Sequence, residues 1–242
     1  MNRAGLITLL IGLAAANGAS AQSLSLEFGD GGSITAVTLQ LIALITVLSI
    51  APGIVVTITC FPFIVTVLSI LRQAIGLQQS PPNMLIVSIA LFLTFFVMEP
   101  VLIESWDQGI RPLLDQEISL EEGFQLGFEP FRVFMAAQVD PDTFSTMSRI
   151  RSDLNLTEPS PDTPLSVLIS TFLLSELSRA VQVGFLIFLP VLIIDLVVAA
   201  VLMSMGMMMV PPAIVSLPFK LAFFVVANGW ALVAESLVRS YQ

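Results

Sequence analysis

Residues 202–230 read LMSMGMMMVPPAIVSLPFKLAFFVVANGW, and they divide into a helix end, a turn and a new helix. Gly206 supports backbone geometries that other residues resist, and Pro211 and Pro212 stop a helix arriving from the left. Met203, Met205, Met207, Met208 and Met209 crowd the same turn. Methionine is unbranched and polarizable, so such a cluster makes an apolar yet deformable surface. On composition alone two readings stand: ordinary packing between membrane helices, and a soft seal that closes around something variable.

Outward from the turn, residues 165–209 and 213–237 form two long apolar arms. The first carries Glu176, Arg179 and Asp195, with Gly184 and Pro190 between them; the second carries Lys220, Asn228 and Glu235. Ionisable groups in apolar spans face protein, water or one another. Glu176 and Arg179, three apart on one helical face, are expected to pair. Asp195 and Lys220 are expected to pair across the turn. The two arms make a helical hairpin over 165–242.

A second hairpin is expected over residues 34–103. The tract 34–71 has no charge until Arg72, and as one helix it would reach ~57 Å, too long for a ~30 Å hydrocarbon core. Pro52-Gly53 and Pro62 therefore predict a kink or short interruption. RQAIGLQQSPPN forms a polar turn, and residues 84–103, with Glu99 beside Pro100, meet the length of a span. Between the hairpins, residues 104–164 hold most of the chain's carboxylates. Phe124, Phe128, Phe131, Phe134 and Met135 fall at helical spacing and predict an amphipathic helix there. Residues 140–164 read as a solvated loop.

Residues 1–21 have the form of a secretory signal peptide: Arg3, a short apolar core, and Ala19-Ser20-Ala21 before the expected cut. Residues 22–33 are a polar linker. A chain starting outside and crossing four times puts Arg72 and the methionine turn in the cytoplasm and the acidic region, 104–164, on the extracytoplasmic side. The fold class is therefore all-α, with two long, broken, membrane-associated helical hairpins around an acidic middle.

Composition excludes much else. Of 242 residues, 56% are hydrophobic and 11% charged, where soluble domains are nearer a quarter charged. A formal net charge of −9 argues against nucleic-acid binding. With no histidine, His-based triads and the common zinc and haem sites are ruled out. Cys60, the single cysteine, reads as a small buried thiol. No catalytic constellation, metal site or cofactor motif is found, so no enzyme and no cofactor is expected. Glu176, Asp195 and Lys220 leave a proton-coupled small-solute transporter as a rival reading.

Three segments carry a resemblance: MGMMMVPPAIVSLPFKLAFFVVANGW, LRQAIGLQQSPPNMLIVSIALFLTFFVMEPV and LLSELSRAVQVGFLIFLPVLIIDLVVAAVLMSMGMMM. They closely resemble the signatures of the FliP family of flagellar export-gate proteins, related to the SctR type of injectisome subunit. SLPFK and LFLTFF are closer in wording to the flagellar branch. The resemblance implies a gate built from copies of the chain with FliQ-type and FliR-type proteins, beside FlhA- and FlhB-type components. That gate, in the inner membrane at the flagellar basal body, passes unfolded exported proteins. It also implies that Met207, Met208 and Met209 form a gasket at the turn of Gly206, Pro211 and Pro212. Three departures stand out. Phe63 occupies the place of a basic residue in an SFTR-like motif, Asn228-Gly229-Trp230 replaces a usual DGW, and AAQVDPD replaces a charged run.

Overall fold

The computed structural model describes residues 34–77, 81–150, 158–207 and 209–241. The expected signal peptide and linker, like Met208, lie outside them. The chain falls into two units, 1–48 and 49–242, and the described part of the first is the opening of helix α1 (Ile34–Thr57). The remaining helices are α2 (Phe61–Ile75), α3 (Asn83–Ser105), α4 (Arg111–Leu114), α5 (Leu120–Gln138), α6 (Pro141–Ile150), α7 (Leu165–Ser204), α8 (Pro212–Val226) and α9 (Gly229–Arg239). A π-helical turn, Trp106–Ile110, joins α3 to α4. The protein is an all-α membrane protein, with no strand among the described residues.

The prolines divide the first tract differently from the sequence reading. Pro52 sits inside α1, and the interruption falls at 58–60. Pro62 lies in the first turn of α2, where a missing N–H costs nothing because that donor has no intrahelical partner. At the other end of α2, Gly76 takes a left-handed backbone (φ 87°) and donates its N–H to Gln73 O at 3.1 Å. Arg72 then ties the following turn, donating to Pro81 O and to the side chain of Asn83, the first residue of α3.

Within the acidic middle, residues 120–138 form helix α5, and residues 141–150 are helical where a loop was expected. Ser119 caps α5 by accepting the Glu122 N–H at 3.3 Å, a Ser-x-x-Glu start whose acids suit the positive helix end. The π turn packs backbone to backbone on α5: a Cβ on Gly109 would stand 2.4 Å from Gly127 Cα. Residues 141–150 correct the loop reading of 140–164. Asp140 Oδ2 accepts both the N–H and the hydroxyl of Thr143 at 2.8 Å and so starts α6. These bonds hold the Asp140 carboxyl below its ordinary range. Helix α6 escapes a sequence reading because only Phe144 and Ser148, four residues apart, turn inward. Beyond it, Arg132 donates to Pro161 O and Thr163 O, fixing the approach to α7.

Asn83–Leu114 and Leu165–Ser204 are long and apolar enough to cross a membrane, with mean hydropathies of 2.4 and 3.0. Helices α8 and α9 pass that test only together, and they bend by 62° between them. The pairs α2/α3 and α7/α8 do pack as neighbours, yet the most extensive packing joins one pair to the other, α2 against α7. Phe63, Ile64, Val67 and Leu71 of α2 are buried there with Leu168, Phe172 and Ala180 of α7. Gly184 lets Ile70 approach so closely that a Cβ would meet its Cδ1 at 2.4 Å. The α2/α3 and α7/α8 pairs share one core. Outside that core, only 11% of the most apolar stretch of α7 is buried, so its outward face is made for lipid or for other subunits.

Candidate functional site

Leu202 to Met207 close α7 with a paired backbone motif. The Met207 N–H reaches Leu202 O at 2.9 Å, and the Gly206 N–H reaches Met203 O at 3.0 Å. Gly206 sits at φ 74°, a left-handed position glycine fills without steric cost. Pro211 then caps α8, and Pro212 occupies its first turn. The result is a sharp apolar tip. Met203 is 65% exposed, Met205 67% and Met209 98%, with Met207 also exposed, so none of these four is a core residue of this chain. Packing within one chain therefore does not account for them. Beneath the tip, an apolar cavity of about 730 Å³ opens between the arms, lined by residues such as Val198, Leu202, Met205, Met207 and Phe219.

The arms are held by an ionic cluster. Lys220 Nζ lies 2.6 Å from Asp195 Oδ2, and the Ser216 hydroxyl donates to Asp195 Oδ1 at 2.5 Å. Lys220 also donates to Ala74 O at 3.4 Å, near the C-terminus of α2, where the helix dipole favours a cation. Three helices, α2, α7 and α8, thus meet at one ammonium. The sequence pointed to Asp195 and Lys220. It missed Ser216, although Ser216 and Lys220 stand four apart on one face of an apolar helix, which is a readable signal.

A second cluster lies further back on α7. Glu176 is completely buried, and its Oε2 accepts the hydroxyl of Tyr241. Arg179 stands 3.6 Å from Glu176 Oε1, an ion pair too long for a hydrogen bond, which leaves that oxygen without a donor among the described residues. The guanidinium instead donates to Gln138 Oε1 at 2.7 Å and to Ser240 O. Its flat faces meet the rings of Phe63 at 4.9 Å and Tyr241 at 4.7 Å. Burial first, and then the Glu176 carboxylate, push the Tyr241 hydroxyl well above the usual tyrosine range, so it remains a donor.

This geometry accounts for two of the three sequence departures. At Phe63, where the resemblance leads one to expect a basic residue, an aromatic face receives the cation of Arg179. Asn228 adopts a left-handed backbone (φ 51°, ψ 45°), and Asn and Asp are the residues other than glycine that tolerate it best. Within AAQVDPD, Gln138 accepts from Arg179 and Asp140 caps α6, while the loss of the charged run itself has no structural explanation. Cys60 is buried beside the second cluster.

The model of the family described as "FliP family" matches residues 44–237. The flagellar biosynthetic protein FliP of Caulobacter vibrioides is 50% identical, over 100% of this chain and 92% of that protein. Its counterpart in Bacillus subtilis is 45% identical over 84% of this chain and 92% of that protein. That of Aquifex aeolicus is 43% identical over 90% and 91%.

Proposed function

The chain belongs to the FliP family, and on that premise we propose that it is a subunit of the flagellar protein-export gate in the bacterial inner membrane. In this reading several copies assemble with FliQ-type and FliR-type proteins, alongside FlhA- and FlhB-type components, into a channel for unfolded flagellar proteins. The observation that carries the reading is the methionine tip, an apolar turn at the end of a cross-braced hairpin with its side chains left uncovered. Brought together from several copies, Met207, Met208 and Met209 make a ring of thioether tips. Such a ring excludes water and ions when packed. It yields to a passing chain because each side chain has three rotatable bonds. The protein performs no hydrolysis in this account.

The Asp195–Lys220 and Glu176–Arg179 clusters act as braces, keeping the tip in place while the ring deforms. These are the groups a proton-coupled transporter would use, and each is engaged inside the chain, which favours bracing over transport. An injectisome role gains no support from the relatives, which are flagellar proteins. Gentle detergent extraction of a tagged chain tests the proposal. It should bring FliQ-type and FliR-type proteins down with the chain at fixed ratios. A chain recovered alone, or only with other copies of itself, would overturn it.

A further inference from the structure

Helix α9 is fastened at its ends and, between them, touches the core mainly through Leu237 and Val233. At its root, Asn228 holds a left-handed backbone, and the next residue, Gly229, lies under the Phe224 ring, where a Cβ would meet ring carbons at 2.2 Å. The 62° bend between α8 and α9 is made at this point. Along its length, the residues of α9 buried in the chain are Gly229 and Leu237. Trp230 and Leu232 remain exposed, and a groove flanks the helix on each side. One, about 450 Å³, lies against Leu93 and Phe96 of α3, and the other, about 330 Å³, against Val183 and Ile187 of α7.

The far end is different. Tyr241 inserts its ring between Phe63 of α2, 5.5 Å away edge-on, and Phe134 of α5, 6.0 Å away and stacked. Its hydroxyl donates to the buried Glu176 carboxylate, the only hydrogen bond to it among the described residues, and the neighbouring Ser240 carbonyl accepts from Arg179. Three elements of the core, α2, α5 and α7, therefore grip two residues at the end of a helix whose own core residue is Leu237.

We propose that Ser240 and Tyr241 are a latch, and that α9 is an arm that swings on the Asn228–Gly229 hinge when the latch is released. Tyr241 is a positioning residue in this device, acting through Glu176 and Arg179. A hinge at one end, a catch at the other and grooves on both flanks make the helix an element that can open as a unit, withdrawing Leu237 from the core as it does so. The free energy of opening is then set by the catch together with the burial of Leu237.

Native-state hydrogen exchange on the full chain in its membrane complex tests this. Tyr241→Phe keeps the ring and removes the hydroxyl. The amides of α9 should exchange about tenfold faster, the scale of one lost hydrogen bond to a charged group, while α2 and α8 keep their rates. Unchanged exchange in α9 would overturn the proposal, as would equal acceleration of α8 and α9, which marks Tyr241 as ordinary core. Should Tyr241→Phe fail to accumulate, Arg179→Lys decides. It keeps a charge near Glu176 but loses the planar fork that reaches Ser240 O, so it too must speed α9 alone. Wild-type exchange in that variant would count against the latch.

Discussion

Replacing Lys220 by methionine keeps the length of the side chain and removes its charge, leaving Asp195 with Ser216 as its remaining partner. A fully buried carboxylate stripped of its cation costs about 3–5 kcal/mol. Asp195 retains about a third of its side-chain exposure (31%), so the expected cost is lower, about 2 kcal/mol. Thermal denaturation of the purified complex should register that loss for Lys220→Met, and Asp195→Leu in the same chain should recover much of it. Equal stability of the single and double variants would show that the pair braces nothing. This pair was legible in the sequence for a plain reason: charges in an apolar tract must find each other, and a tight turn places the two arms side by side. The partners of Glu176 were legible only in part. Arg179 follows from helical spacing, but Tyr241, Ser240, Gln138 and Phe63 come from distant segments, and their meeting depends on how α2, α5 and α7 pack.

Among the elements, α6 shows how little sequence signal a real helix needs. Its stability comes from the Asp140 cap and from Phe144, which is buried in the shared core. Phe144→Ala should destabilise the segment by about 3–5 kcal/mol, as truncation of a buried aromatic does. Asp142→Ala, on the exposed side, should stay within about 0.5 kcal/mol of wild type. Limited proteolysis between 140 and 164 measures the difference, with rapid cleavage expected in the first variant only. Similar cleavage of both would mean that α6 is not held by Phe144. The long apolar helices were easy to place because their length and hydropathy leave few alternatives. The break at 58–60 was not, because a proline marks the first turn of a helix as readily as an interruption. The α2–α7 packing was not legible either: α7 is similarly apolar all round, and no periodicity says which neighbour each of its faces meets.

At the scale of residues 49–242, the helix pairs α2/α3 and α7/α8 share one core, and the methionine turn between α7 and α8 is left exposed. The outward apolar faces of these helices belong to a membrane or to an assembly, and the account assigns the tip to the seal of an export channel. Changing Met207, Met208 and Met209 together to alanine removes the bulk of the ring and leaves the turn apolar. The Gly206 and proline geometry that shapes the turn is untouched. Complex yield and membrane permeability to small ions, measured in the same strain, separate a seal from packing. If the methionines seal the channel, the variant assembles at normal yield and leaks where the wild-type strain does not. A normal yield with an intact permeability barrier would contradict it, as would loss of the complex with no leak, and either result would return the methionines to packing between helices.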